Sequence, residues 1–202
     1  MTIVMYNFLG VPLEDFMRVS RQQAAENRQR IVEAGARLFR DGGFDGIGVD
    51  AIMKEAGLTH GGFYGHFASK DALAEEAVAH ALEHSTAWQD RMTSLAELVS
   101  IYLSPRHRAD RANGCAVAAL GADVARQRPV LRRTVAAGIR AQIDRIVSLL
   151  KGGTPANRRR RAIATYAGMV GALTLARAVD DPVLAQEILT AAQQTFGKRQ
   201  LA

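Results

Sequence analysis

The sequence predicts an all-α chain: a helix-turn-helix head near the N-terminus, followed by a larger helical bundle. Two observations predict it. Apolar residues recur at i, i+3, i+4 and i+7 through most of the chain, and no stretch alternates with the two-residue period of a strand. The periodic stretches are separated by helix-stopping clusters: Asp41-Gly42-Gly43, Pro105, Pro129, Gly152-Gly153-Thr154-Pro155 and Asp180-Asp181-Pro182.

Composition bounds the function. With 202 residues the chain can form a small head and a larger body. It has no apolar run of 18 or more residues, so no membrane span is expected. No secretory signal opens it, and its single cysteine, Cys115, excludes an intramolecular disulfide. Both points fit a cytoplasmic protein. The net charge is +6, but residues 18–70 carry 8 basic and 6 acidic side chains, and residues 71–202 carry 18 and 12. Bulk charge therefore supports a polyanionic partner only weakly.

Taken in order, residues 1–16 show no period. Residues 1–20 are expected to be a disordered extension, with Arg18 and Arg21 either a basic arm or a solvated tail. The first helix is predicted from about Ala24 to Arg40, with an apolar stripe of Ile31, Ala34, Gly35, Leu38 and Phe39. Next comes Val49 to Phe67, around which the head is organised. Val49, Ile52, Met53 and Ala56 line one face of a short helix. Gly57 can take the left-handed conformation that ends it. Thr59 suits the N-cap of a second helix, whose Phe63 and Phe67 share an inner face. Its outer face keeps Thr59, His60, Gly61, Tyr64 and His66. Gly61, Gly62 and Gly65 each cost about 0.5–1 kcal/mol relative to alanine in a helix, a poor choice for stability alone. Glycine allows close backbone approach, and a polar, aromatic outer face suits DNA.

The stretch FDGIGVDAIMKEAGLTHGGFYGHFASKDAL, Phe44 to Leu73, resembles the DNA-binding head of the TetR/AcrR family of bacterial transcriptional regulators, with a match from about Arg28 to Leu73. The glycine turn, the Thr–x–Gly opening, the Phe–Tyr–x–His–Phe core and the Ser–Lys–Asp start of the next helix carry it. The resemblance implies a two-fold homodimer with a small-molecule pocket in its C-terminal part. It implies that Thr59, Tyr64, His66 and Lys70 hold phosphates of a double-stranded operator, while His60 and Gly61 face base edges. Family members usually carry Ser or Thr before the second helix. Here the residue is Gly48, so only its backbone amide can meet a phosphate.

Ser69 is expected to cap a fourth helix running to about His84. Further helices are predicted over about 87–103, 116–126, 130–150, 156–179 and 183–194. The division expected is 21–70 for the head and 71–202 for ligand binding and dimerisation. The resemblance puts the dimer interface on the last two helices. The small residues Ala164, Ala167, Gly168, Gly171 and Ala172 there would allow close approach. The arginine run 158–161 reads as the solvated start of a packed helix.

Trp88, Met92, Tyr102, Tyr166 and Met169 are candidate pocket walls, although core packing explains each as well. Cys115 precedes the helical stretch CAVAALGADVARQ, so the positive end of the helix dipole meets its thiol. Arg108 and Arg111 are near in the chain. The region resembles, more loosely, the Gly-Cys region of TetR-type regulators that respond to electrophiles and oxidants. The competing reading is a small buried hydrophobe. His80 and His84 have metal-ligand spacing but no third ligand in the sequence, so no metal is expected. There is no phosphate loop, nucleophile elbow or paired carboxylate frame, hence no enzyme, catalytic residue or cofactor. The function expected is a ligand-responsive repressor, released from a palindromic operator by a small-molecule or electrophilic effector. The alternative is an architectural DNA binder or a helical interaction protein without an effector.

Overall fold

The computed structural model describes residues 13–89 and 91–197, apart from the side chains of 13–19 and 86–89. All regular structure among them is helical. Helix α1 (Leu13–Gly46) is followed by α2 (Val49–Glu55), a 3-10 helix η1 (His60–Gly65), and α3 (Lys70–Gln89). Then come α4 (Leu95–Tyr102), α5 (Pro105–Ala109), α6 (Ala116–Val124), α7 (Pro129–Leu149), α8 (Pro155–Ala178) and α9 (Pro182–Phe196). No helix among the described residues is long and apolar enough to cross a membrane.

Local chemistry explains most boundaries. α1 is interrupted at Gly43 (φ 74°), as its Asp-Gly-Gly stop predicts. Its start differs from expectation. The helix is formed by Leu13, so residues 13–20 of the expected extension are helical; residues 1–12 lie outside the described ones. Further along the helix, exposed i,i+4 bonds such as Gln22 to Glu26 (2.9 Å) support it. Ser69 caps α3 as expected, accepting from Ala72 N–H (3.1 Å). α3 runs on to Gln89, and α4 starts later than predicted because Ser94 caps it, accepting from Glu97 N–H (3.2 Å). Four prolines, at 105, 129, 155 and 182, sit in the first turn of α5, α7, α8 and α9, where the missing N–H costs nothing.

Two apolar clusters organise the chain. The first joins α1, α2, η1 and α3 to α6 and the start of α7, through Ile31, Phe39, Ile52, Phe63, Leu73, Leu120 and Leu131 among others. The second joins α4, α7, α8 and α9 around Leu98, Tyr102, Ile146, Tyr166, Met169 and Leu173. α7, which gives Leu131 and Val135 to the first cluster and Ile143 and Ile146 to the second, therefore connects the two. In α8, Gly168 faces the ring of Phe196 in α9, and a Cβ there would come within 2.1 Å of Cζ. This small residue serves packing within one chain. Ala164 and Ala167 are exposed, and Gly171 faces open space, so the small-residue face divides between two tasks. Arg158 and Arg159, at the start of α8, reach the Gly153 carbonyl and Asp144.

Candidate nucleic-acid interface and effector cavity

The turn between α2 and η1 is a Schellman motif. Gly57 takes φ 67°, its N–H donates to Lys54 O (3.0 Å), and Leu58 N–H donates to Met53 O (2.8 Å). This fixes the direction in which the following element leaves. That element is a 3-10 helix over His60–Gly65, where the sequence predicts an ordinary helix of two turns. Three glycines in six residues hold the chain too weakly for an α-helix to propagate. Thr59 stands at the N-cap position but accepts no capping bond.

Packing anchors the element from beneath. Phe63 and Phe67 are buried and stacked at 5.8 Å between centroids. Tyr64 packs edge-on against Phe63 at 5.2 Å, and 68% of it remains exposed. Arg28 of α1 lies 4.4 Å above the Phe67 ring and makes a two-pronged bond to Glu76 of α3, both contacts 2.5 Å. Of the predicted contact residues, Gly48, Thr59, His60, Gly61 and Tyr64 are exposed, while His66 and Lys70 are half-buried. Asp50, in the first turn of α2, lies against His60 Nδ1 through Oδ1. Spacing gave no sign of this pair, because the two residues lie on different helices.

The second candidate region lies in the body. A cavity of about 350 Å³ is lined by His84, Tyr102, His107, Asp110, Asn113 and Cys115, among others. Cys115 is the N-cap residue of α6 and 9% exposed. His107 organises the loop before it. Its Nδ1–H donates to Tyr102 O (2.6 Å), and its Nε2 accepts from Cys115 N–H (3.0 Å), which fixes one neutral tautomer. Burial pushes this imidazole below its ordinary value. Arg177 of α8 clamps the same loop, donating to the carbonyls of His107 (2.6 Å), Arg108 (3.2 Å) and Asp110 (3.4 Å). Arg40 of α1 donates to Ala112 O (2.6 Å), and burial pushes its guanidinium down to about 10.

Arg40 and Arg177 are the cations bonded to the loop that leads to Cys115. The two neighbours in sequence do other work. Arg108 donates to Ala176 O (2.7 Å) and Arg111 to Arg177 O (3.1 Å), holding the end of α8. The fully buried Tyr102 hydroxyl has the thiol beside it and no oxygen or nitrogen partner. Burial raises both Tyr102 and Tyr166, so their hydroxyls stay protonated. Tyr166 and Met169 are core residues beside this group, and Met92 packs at its edge. The Trp88 side chain lies outside the described residues. Among the described residues no group of three or more His, Cys, Asp or Glu is arranged to hold a metal ion; His84 lines the cavity.

Residues 31–77 match the family model for bacterial regulatory proteins of the tetR family. The chain is 39% identical over 59 residues to the HTH-type transcriptional regulator AcrR of Shigella flexneri, covering 29% of this chain and 27% of that protein. It is 38% identical over 63 residues to an HTH-type transcriptional regulator of Staphylococcus aureus strain USA300, covering 31% and 34%. These matches thus span about a third or less of the curated relatives. Along most of its length the fold is that of a TetR transcriptional regulator from Chloroflexus aurantiacus J-10-FL. The TM-score is 0.72 and the identity 25%, over 88% of this chain and 98% of that one. By sequence the head is similar to the tetR family of bacterial regulatory proteins, and along most of the chain the fold is that of a TetR-family regulator.

Proposed function

We propose that the chain is a transcriptional repressor that binds a palindromic operator as a homodimer and leaves it when an effector occupies the body. The likeness of its head to bacterial regulators supports regulation over catalysis. One observation carries the DNA reading. A glycine-rich element is anchored by Phe63 and Phe67 on one side and exposes Thr59, His60, Gly61 and Tyr64 on the other. Packing alone gives no reason for that outer face. Residues 21–70 then serve as the head, and Gly48, Thr59, Tyr64, His66 and Lys70 hold phosphates. Two such heads about 34–36 Å apart fit successive major grooves. The exposed apolar residues Ile163, Leu175, Val183 and Leu184 of α8 and α9 support a dimer through those helices.

An effector acts by binding better to the conformation that fits DNA worse. The cavity at Cys115 is the place for it, because its wall loop is bonded to α1 of the head through Arg40 and Ala112. The thiol in that wall favours a conjugate-addition electrophile: sulfur bonds to the β-carbon of an α,β-unsaturated carbonyl as the carbon–carbon π bond opens, and the thiol proton ends on the α-carbon.

The test is binding to the DNA upstream of the protein's own gene, followed across salt concentration. Lys70→Ala should lower the slope of log affinity against log salt by about 1 and weaken operator and random DNA alike. An unchanged slope would remove Lys70 from the phosphate contacts. Adding a mild electrophile should release DNA from the native protein and not from Cys115→Ser. Equal release from both would leave a non-covalent effector.

A further inference from the structure

Neither the family match nor the fold assigns a role to Asp50. It opens α2, is 84% exposed, and lies against His60 Nδ1 at the start of η1. A carboxylate only accepts hydrogen bonds, so the proton of the His60 ring sits on Nδ1. The other nitrogen, Nε2, takes no part in that contact and belongs to a side chain that is 57% exposed. An unrestrained neutral histidine can present either nitrogen, as donor or as acceptor, and so discriminates poorly between base edges.

We infer that Asp50 is a positioning residue for sequence readout: by holding His60 Nδ1–H, it presents Nε2 to the major groove as an acceptor for an exocyclic amino group. This rests on the DNA reading above. The amino groups exposed in the major groove are cytosine N4 and adenine N6, whereas guanine and the carbonyl of thymine offer only acceptors at their edges. The operator position under His60 therefore prefers cytosine or adenine on the contacted strand. Asp50 reads no base itself, and its charge opposes the phosphates. Specificity is gained here against a loss of general affinity. The competing account is that Asp50 only complements the positive N-terminal end of α2. That role would affect stability and leave base preference untouched.

The experiment is selection from a pool of randomised DNA at pH 8, where an ordinary imidazole is neutral, with the full chain and its variants. Binding is then measured to operators changed at one position. The native protein is expected to enrich a palindrome in which one base pair per half-site is preferred by roughly three- to tenfold, the discrimination of one hydrogen bond. Asp50→Ala should reduce that preference below about twofold, leave the other positions alone, and bind random DNA more tightly. Asp50→Asn keeps an acceptor for Nδ1–H and should restore the preference. His60→Ala should lose the same position, and adding Asp50→Ala to it should change nothing further. Thermal melts of each variant separate folding from recognition. An enriched palindrome that Asp50→Ala reads with unchanged preference overturns this inference alone. A native protein that enriches no sequence overturns the DNA reading and this inference with it.

Discussion

Gly114→Ala tests whether the loop before Cys115 is as tightly built as it looks. A Cβ at this buried glycine would lie 2.7 Å from Arg177 Nη2, 2.7 Å from the Asp110 carbonyl oxygen and 2.9 Å from His107 Nε2. All three are below any normal contact to carbon. The Asp110 oxygen belongs to the backbone and cannot move alone. Arg177 Nη2 can move only by leaving His107 O, and His107 Nε2 only by leaving Cys115 N–H. A bond from a charged donor contributes about 1.5–3 kcal/mol and a neutral one about 0.5–1.5. Overpacking alone costs about 1–3 kcal/mol. These overlap, because one displacement relieves several contacts, so a net loss of about 2–4 kcal/mol is expected. For a chain of this size that lowers the melting temperature by roughly 5–15 °C. Calorimetry at fixed protein concentration measures it, since a dimer melts in a concentration-dependent way. A melting temperature within about 2 °C of the native value would show that the loop yields freely, and the rigid link from cavity to head would be wrong.

Two further predictions follow from the body. Leu175→Glu with Val183→Glu places charge on exposed apolar positions of α8 and α9. It should shift the dimer to monomer in sedimentation at micromolar concentration while helical content stays constant; an unchanged dimer would move the interface elsewhere. His107 is held below its ordinary value by burial first, with Arg177 adding to the effect. The unfolded chain therefore takes up this proton first as pH falls, and the contribution of neutral His107 is complete above about pH 6.5 and declines below it. Urea midpoints between pH 7.5 and 5.5 should fall further for the native chain than for His107→Gln, by at most about 1.4 kcal/mol per pH unit. Parallel curves would refute the assignment.

The head was legible because its signals are local. Gly57 ends α2 by a conformation that few other residues adopt, Ser69 caps the next helix, and Phe63 and Phe67 are neighbours by helical spacing. What was misread there was the type of helix: glycines chosen for close approach also remove the helix propensity that a pattern of apolar residues takes for granted. In the body the same rule failed differently. Pro105 read as a break, yet after Ser104, which accepts from His107 N–H (3.2 Å), it begins α5. α5 matters because it carries His107 to the cavity.

The electrostatics around Cys115 could not be read from the sequence at all. Proximity along the chain suggested Arg108 and Arg111, but those side chains satisfy carbonyls at the end of α8. The cations near the thiol come from Arg40 and Arg177, tens of residues away in either direction, and only the packing of α1, α6 and α8 brings them together. Their backbone bonds have a further consequence. Arg177 fixes the loop to the body and Arg40 fixes the same loop to the helix that carries the head. A group seated against Cys115 cannot displace residues 110–114 without straining one of these bonds. Cavity and head, which sequence spacing presents as separate sites, are thus joined through one five-residue loop. Arg40, which reads in the sequence only as the last residue of the predicted first helix, is the side chain that joins them.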